Sequence, residues 1–309
     1  MKRRILLIGC ARTEVALHTD TFAADGQTLF GKFGSETVPG GPLTFAGVAV
    51  TRLGGEAILC SAVGNDQYGK DLVTFYKDLG MDTRFIKEVR GGTSPLGVTA
   101  ERADGERRSY RSSVLSEAID GDLIEDAFTS LPDAVYISLE IPAEAAARAA
   151  ALAREKKIPA FFDGEHIPEG FPLEILGDVD LIALGTDAAK RYTGVEPRDA
   201  QSNLKAAVEL AKILRAKTYL FRAGVGGAFA YKGNFSYYIP YVEGADERLN
   251  ELFVPSMILE CLRSGKSVRA ARYASTVIAL AAARGGEPIT AVPTETEVLR
   301  YILEHEVEL

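Results

Sequence analysis

Residues 40–69 read GGPLTFAGVAVTRLGGEAILCSAVGNDQYG, and this stretch contains the two patterns that decide the fold. The glycine pair Gly40-Gly41 precedes an apolar helical pattern over Thr44–Leu53. A run that is apolar on both faces follows at Ala57–Val63 and ends in the polar turn 64–69. A helix followed at once by a fully buried strand is typical of proteins in which helices cover a parallel sheet.

The same alternation extends along most of the chain. Short apolar runs predict further buried strands at Ile5–Ile8, Ala134–Leu139, Ile158–Phe162, Leu181–Leu184 and Thr218–Phe221. Helical patterns lie between them at Lys70–Leu79, Ala143–Lys156 and Leu204–Leu214. From Glu251 to Leu303 the pattern indicates two or three successive helices. We therefore predict an α/β fold with a mainly parallel central sheet, as one domain over residues 1–309.

Two segments, approximately residues 11–38 and 93–112, do not fit this alternation. They mix Thr, Val, Phe and Tyr with polar residues, and they carry hairpin-turn signals at Asp25-Gly26 and Asp104-Gly105. We expect them to form a small, partly exposed antiparallel sheet inserted into the α/β body. An exposed sheet face needs a cover, so this sheet should act as a lid, as a dimer surface or as both.

Composition excludes several classes of protein. With 309 residues, 47% of them hydrophobic and 25% charged, the chain has the composition of a folded globular protein. A formal charge of −8 argues against nucleic-acid binding, which needs excess Lys and Arg. No apolar run approaches the ~20 residues of a membrane-spanning helix, and Ile5–Ile8 is too short for a signal peptide. The chain has three widely spaced cysteines, which argues against a disulfide scaffold or a structural zinc site. This cysteine usage fits a reducing cytoplasm.

Some familiar motifs are incomplete in this chain. Gly265-Lys266-Ser267 resembles the end of a phosphate-binding loop, but Glu260 stands where that loop needs a glycine. The turn 224–227 misses the GxGxxG spacing, so a dinucleotide-binding dehydrogenase is only weakly supported. The acidic stretch 163–166 closes a predicted strand and could hold a cation, although residue types alone favour a solvated loop.

Taken in order, a further set of motifs resembles the PfkB (ribokinase-like) family of carbohydrate kinases. The glycine pair with the Leu-Gly that ends its helix, and then Gly64–Gly69, are similar to the first signature of that family. The remaining matches are Asp104–Arg107 for the lid turn, Phe162-Asp163 for the FDPN strand end, Arg222–Ala228 for TLGxxGA, Glu251–Phe253 for DxF and Ala270–Gly286 for the nucleotide-side helix. The resemblance covers roughly 280 residues.

This resemblance implies a ribokinase-like three-layer sandwich with a small β-sheet lid. It also implies ATP-dependent phosphorylation of a hydroxyl on a sugar or sugar-like molecule, with Mg²⁺. Counting back from Phe253, the family's GAGD positions are Arg248, Leu249, Asn250 and Glu251. Glu251 would then be the base, with Asp246 as its rival. Arg248 would stabilise charge, and the backbone at Leu249 and Asn250 would form the anion hole.

The resemblance assigns the other ligand contacts as well. Residues of the substrate side would be Glu14, Gly40, Gly41 and Phe45, with Tyr110 and Arg111 of the lid selecting the acceptor. Residues of the nucleotide side would be Arg222, Gly224, Gly227, Ala274 and Ser275. The family's NxxE motif falls on 185–188, where both named residues are missing; Asp187, which neighbours them, is a candidate metal ligand. A homodimer through the lid is implied, and no nucleic acid or membrane partner is expected.

The chain departs from the family's pattern mainly at positions that carry chemistry. Glutamate replaces the catalytic aspartate, both glycines of GAGD are lost, and Phe45 replaces the signature asparagine. Glycines that turns require are kept. Two functions therefore stay open: a sugar kinase, and a catalytically impaired kinase-fold protein that binds a small molecule or a partner. The identity of the acceptor stays open too.

Overall fold

The computed structural model describes residues 2–30, 34–112 and 114–309. Its strands are β1 (Arg4–Ile8), β2 (Arg12–Thr19), β3 (Gly34–Gly40), β4 (Glu56–Gly64), β5 (Asp82–Val89), β6 (Leu96–Arg102), β7 (Arg107–Arg111), β8 (Ala134–Ser138), β9 (Ala160–Gly164), β10 (Val179–Leu184), β11 (Ala216–Arg222), β12 (Ala228–Lys232) and β13 (Phe235–Ile239). Its α-helices are α1 (Gly41–Arg52), α2 (Gln67–Asp78), α3 (Gly121–Phe128), α4 (Ala143–Lys156), α5 (Thr186–Thr193), α6 (Ala200–Leu210), α7 (Phe253–Ser264), α8 (Ser267–Arg284), α9 (Pro288–Ala291) and α10 (Glu295–Glu304).

The central sheet has nine strands in the order β13-β12-β11-β10-β9-β8-β1-β4-β5. Neighbours from β11 to β5 are parallel, and β12 and β13 add an antiparallel hairpin at one edge. Side chains alternate between the two faces, so Ile5 and Leu7 pack in one core while Leu6 and Ile8 pack in the other. Two cores on opposite faces of one sheet make three layers, which confirms the predicted fold class.

The two unusual segments form a separate four-stranded sheet in the order β3-β2-β6-β7. As predicted, β2–β3 and β6–β7 are antiparallel, but the central pair β2–β6 is parallel. The turn at Asp104-Gly105 does join β6 to β7, and Gly105 has the positive φ that it requires. Asp25-Gly26 is a turn within a longer connection instead of a two-residue hairpin, and residues 31–33 of that connection lie outside the described part.

The two faces of this small sheet, which we call the lid, differ in chemistry. Cross-strand register places Glu14, Gly97 and Arg111 on one face, which lines a cleft against the central sheet. On the opposite face Val98 and Tyr110 are register partners, and they are 41% and 73% exposed. The polar face of the lid therefore points toward the cleft, and an apolar face points away from it.

The C-terminal region is helical, as predicted, and covers one face of the central sheet. A 3₁₀ helix at Glu247–Leu252 runs directly into α7, because Leu252 keeps helical backbone angles. In α8, Ala271, Ala274, Ile278 and Ala281 lie on one face at helical spacing and are buried. Among the described helices, none combines the length and apolarity that crossing a membrane requires.

Candidate active site

A cleft of ≈ 480 Å³ lies between the polar face of the lid and the carboxyl ends of the central strands. Open parallel sheets bind ligands at this edge, because loops from several strands converge there. The structure brings most of the predicted site residues together in its wall: Glu14, Gly40, Gly41, Phe45, Asp187, Gly224, Arg248, Asn250 and Glu251. Arg111 of the lid also lines it.

The glycine pair before α1 allows the backbone to pass close to its neighbours. Gly41 has φ +83°, and a Cβ there would lie 3.1 Å from the carbonyl oxygen of Cys10. A Cβ at Gly40 or at Gly97 would collide with the side chain of Glu14. These glycines therefore make the space in which Glu14, a predicted substrate ligand, reaches the cleft.

Glu14 is held by a buried arginine that sequence reasoning did not assign to the site. Arg12 Nε donates to Glu14 Oε1 at 2.6 Å, and its Nη1 donates to Glu140 Oε2 at 2.6 Å. Burial opposes the charge on Arg12, but Glu140, Glu251 and Glu14 together raise its pKa. One oxygen of Glu14 is thus already engaged within the protein.

Glu251, the predicted base, is buried in the wall of the cleft and bonded to a histidine. Its Oε1 lies 3.2 Å from Nε2 of His166, while its Oε2 has no hydrogen-bond partner among the described residues. Burial would raise the pKa of Glu251, but the hydrogen bond and charge of His166, with Arg12 and Arg111, lower it to about 2. The carboxylate is therefore ionised at neutral pH.

Asp246, the rival base, belongs to a chain of ion pairs that joins the lid to the body. Its carboxylate contacts Arg107 of β7 at 3.2 Å and Arg248 at 2.7 Å. Arg107 also pairs with Glu101, and Arg248 with Glu287. Burial opposes its ionisation, but the hydrogen bonds of Arg248 and Arg107 lower the pKa of Asp246 to about 2. Arg248, the predicted charge stabiliser, is thus already paired with two carboxylates.

The stretch predicted to form the anion hole is wound into the 3₁₀ helix. Asp246 caps this helix and accepts the N–H of Arg248 on its side chain and the N–H of Leu249 on its carbonyl. The Leu249 side chain is 3% exposed and packs in the core. Asn250 reaches the cleft, but its side-chain oxygen accepts the N–H of Gly226. Helical winding therefore begins at Glu247, four residues before Glu251.

Arg222, predicted to contact nucleotide, lies in a buried charge cluster behind the cleft. It is 3% exposed, its Nη2 donates to Asp163 Oδ1 at 2.7 Å, and its Nη1 contacts Glu165 Oε2. Tyr136 also donates to Asp163, at 3.1 Å. The acidic stretch 163–166, for which residue types favoured a solvated loop, begins within β9 and is partly buried around a guanidinium group. The prediction of a solvated loop is therefore wrong for Asp163, which is buried.

The remaining nucleotide-side residues surround the turn after β11. Gly224 lines the cleft with φ +81°, and a Cβ at Gly227 would lie 2.6 Å from the carbonyl oxygen of Ala223. Ala274 is fully buried, and Ser275 donates to the carbonyl oxygen of Pro240. The structure thus places Gly224 at the cleft, whereas Ala274 lies within the core.

Sequence reasoning missed His166, Glu140 and Arg12. The first two follow β9 and β8, so both lie at the carboxyl ends of central strands. Position alone could have marked them, since polar residues there converge on one edge of the sheet. The pairing of Arg12 with Glu140, 128 positions apart, has no signal in a single sequence.

Comparisons with known proteins agree with this architecture. The model of the pfkB family of carbohydrate kinases matches residues 5–245. Ribokinase of Haemophilus influenzae is 25% identical over an alignment that covers 99% of this chain and 100% of the relative. Fructokinase-1 of Zea mays is 24% identical, over 85% of this chain and 88% of the relative.

Solved structures show the same fold. Arabidopsis thaliana ribokinase, complexed with ribose and ATP, superposes with a TM-score of 0.84 at 17% identity, over 97% of this chain and 98% of the other. Giardia lamblia ribokinase superposes with a TM-score of 0.85 at 18% identity, over 97% and 100%. Since the family model spans most of the sequence and the motifs occur in its order, this chain belongs to the PfkB family of carbohydrate kinases.

Proposed function

We propose that this protein is an ATP-dependent kinase that transfers phosphate to a hydroxyl of a sugar or sugar-like small molecule. The observation that carries the proposal is the Glu251–His166 pair in the wall of the cleft. Phosphoryl transfer needs two substrates held in line, charge stabilisation and an acceptor for the hydroxyl proton. This pair, an ionised carboxylate and an imidazole, supplies that acceptor at the place where the family keeps an aspartate.

The charge of the cleft indicates which substrates fit. Its lining includes seven carboxylates and three guanidinium groups, so an acidic acceptor would meet a surplus of negative charge. A neutral polyhydroxylated acceptor would instead find carboxylates that accept hydrogen bonds from its hydroxyls. Glu14, on the lid, and Glu251, on the body, both line this space.

Magnesium is implied by the family and is consistent with this lining. The described residues contain no cluster of three or more His, Cys, Asp or Glu side chains suited to holding a metal by themselves. Mg²⁺ usually needs only one or two carboxylates together with substrate phosphates. Asp187, exposed at the start of α5 and lining the cleft, is the residue that would hold it. The ion would neutralise the triphosphate in this acidic cleft.

A second function is favoured by the geometry before Glu251. The N–H groups of Arg248 and Leu249 are already bonded to Asp246, and Asn250 is bonded to Gly226. A transferring phosphate would therefore find few free backbone donors there. A protein that binds a small molecule in the cleft without transferring phosphate is the alternative that follows from this observation.

A thermal-shift screen separates the two functions. A ligand that binds the native state raises its stability, by ~2.7 kcal/mol at a hundred times its Kd. The protein is titrated with ATP, ADP, Mg²⁺ and a panel of neutral sugars, singly and in pairs. A kinase should be stabilised by nucleotide and by a sugar. Stabilisation by a sugar with none by nucleotide would favour the binding-protein alternative.

Glu251→Gln tests the kinase directly. The amide keeps the shape of the side chain and can still accept from His166, but it lacks the negative charge. Losing a general base typically costs 10²–10⁴-fold, so turnover with the best sugar should fall by about that factor. Glu155→Gln, an exposed change on α4, is the matched control. Equal turnover in all three proteins, or none with any sugar, would contradict the proposal.

We also propose that the apolar face of the lid is covered by a second copy of the chain. Val98 and Tyr110 lie side by side on this face and are largely exposed. Large exposed apolar patches mark interaction surfaces, and a copy meeting the same face would close it symmetrically.

The three cysteines are free thiols, which supports a reducing cytoplasm as the compartment.

A further inference from the structure

The two ring nitrogens of His166 differ in their hydrogen bonding. Nε2 lies 3.2 Å from Glu251 Oε1, and because that carboxylate is ionised, Nε2 carries the hydrogen and donates it. Nδ1 has no hydrogen-bond partner in the part of the chain that the structure describes. The His166 side chain lines the cleft and is 28% exposed, whereas the Glu251 side chain is 9% exposed. Of the two side chains, the imidazole is the more accessible from the cleft.

We propose that Nδ1 of His166 takes the proton from the acceptor hydroxyl, and that Glu251 acts behind it as a positioning residue. This inference rests on the proposed kinase function. The carboxylate would fix the Nε2–H form of the imidazole and stabilise the imidazolium that proton transfer creates. A buried carboxylate behind a histidine performs this task in hydrolytic enzymes.

The pKa values of Glu251 and His166 also favour the imidazole as the base. A base works best when its pKa lies near the working pH, and a carboxylate with a pKa of about 2 is a weak proton acceptor. Burial would lower the pKa of His166, but the hydrogen bond and charge of Glu251 raise it above its ordinary value of 6.5. The other charged groups that face the ring are Arg111, which lowers its pKa, and Glu140, which raises it.

The step balances without any further reactant. The acceptor oxygen forms a bond to the γ-phosphorus of ATP, and its proton passes to Nδ1 of neutral His166. The bond between that phosphorus and the β–γ bridging oxygen breaks, and its electron pair leaves with ADP. The imidazolium, paired with Glu251, returns its proton to water after the products leave.

The first experiment is a pH profile of the wild type and His166→Gln with ATP, Mg²⁺ and the best sugar of the panel. Glutamine can still donate to Glu251 but cannot accept a proton. We expect kcat to fall about 10²-fold or more, with each KM within about threefold. The kcat of the wild type should rise with pH through a pKa above 6.5, and this rise should be absent in the variant. His305→Gln, an exposed histidine stacked on Tyr301, is the control.

The second experiment needs no turnover. Nitrogen-15 NMR of the imidazole ring should show His166 protonated at Nε2 in its neutral form, with a pKa above 6.5 that falls in Glu251→Gln. A neutral ring protonated at Nδ1, or a pKa that Glu251→Gln leaves unchanged, overturns the inference even in an inactive protein.

The outcomes distinguish this inference from the proposed function. If His166→Gln keeps kcat within a few-fold and Glu251→Gln abolishes it, Glu251 is the direct base; the kinase function stands and the inference fails. If both variants lose turnover and the alkaline rise disappears with His166, the inference holds. Thermal melting of each variant near the wild-type temperature shows that the losses do not come from unfolding.

Discussion

Replacing Arg222 with methionine should destabilise the protein by about 3–5 kcal/mol. The change removes the guanidinium group that pairs with Asp163 and Glu165 in the buried cluster behind the cleft. Breaking a buried ion pair from one side leaves a charge without compensation, and this accounts for most of such a loss. Glu165 is partly exposed and can recover water, so the uncompensated charge is that of Asp163.

The size of the effect on melting follows from chain length. Unfolding entropy near 60 °C is about 2.1 cal/mol/K per residue, or about 0.65 kcal/mol/K for 309 residues. A loss of 3–5 kcal/mol therefore lowers Tm by roughly 5–8 °C. Differential scanning calorimetry on the purified protein without nucleotide measures it. Lys217→Met, which removes an exposed pair with Asp180, is the control and should change Tm by less than about 1.5 °C.

The loss of stability in Arg222→Met should also depend on pH, and it should grow as the pH rises. Burial already raises the pKa of Asp163 above its ordinary 3.8, although Arg222 opposes this. Without Arg222 that pKa rises further, so the folded variant takes up a proton at a pH where the unfolded chain stays ionised. Its stability therefore falls as pH rises, by at most ~1.4 kcal/mol per pH unit. The Tm difference from the wild type should be larger at pH 8 than at pH 5.5.

A second substitution identifies the cause of the loss. Asp163→Asn combined with Arg222→Met leaves no unpaired buried charge, so the double variant should be more stable than the sum of the single effects by roughly 2–3 kcal/mol. The opposite pattern would refute the reasoning. A Tm change below about 2 °C, together with a raised KM for ATP, would show that Arg222 contacts nucleotide, as the family resemblance predicts.

The remaining predictions concern the lid. Asp246→Asn breaks the contact with Arg107, so backbone amides of β6 and β7 should exchange hydrogen faster, as measured by mass spectrometry. The low pKa of Asp246 stabilises the fold above pH 3.8 and this stabilisation is lost as pH falls toward 2, so the variant's deficit, roughly 1 kcal/mol at pH 7, should vanish over that range. Val98→Lys places a charge on the apolar face and should convert a lid-paired dimer to monomer in sedimentation velocity; a wild type that stays monomeric at every concentration contradicts the dimer.

Hydrophobic periodicity predicted helices and strands well where the apolar pattern ends at the same residue as the backbone hydrogen bonding. The helix Ala143–Lys156 was predicted with both of its ends. The helix predicted to end at Leu214 stops at Leu210, yet Leu214 is still buried. The last residues pack their apolar side chains in turns, so the period continues after the helical hydrogen bonds end. Periodicity reports which side chains are buried, and only indirectly how the backbone is bonded.

The site was harder to predict because its charges interact across long separations in sequence. Motif positions correctly indicated Glu14, Gly40 and Glu251 as residues that meet in one cleft. They could not show that Asp246 pairs with Arg107 of the lid or that Arg248 pairs with Glu287, since those contacts depend on how the lid and the last helices are placed. Residue type indicates what a side chain can bind, but only the fold shows which partners it already has.

Two departures from the family's pattern are physically related. Because Asp246 caps the 3₁₀ helix, helical winding starts at Glu247, four residues before Glu251, and Glu251 lies within the helical stretch instead of at its exposed end. A carboxylate withdrawn in this way accepts a hydrogen bond from His166 and lies near the positive charges of Arg12 and Arg111, and it loses basicity as a result. If a hydroxyl is deprotonated in this cleft, a group more basic than this carboxylate has to accept its proton. His166 contacts Glu251 and lines the cleft, so under the inference above it takes this role, and the loss of the glycines before Glu251 and the histidine after β9 would be two parts of one rearrangement.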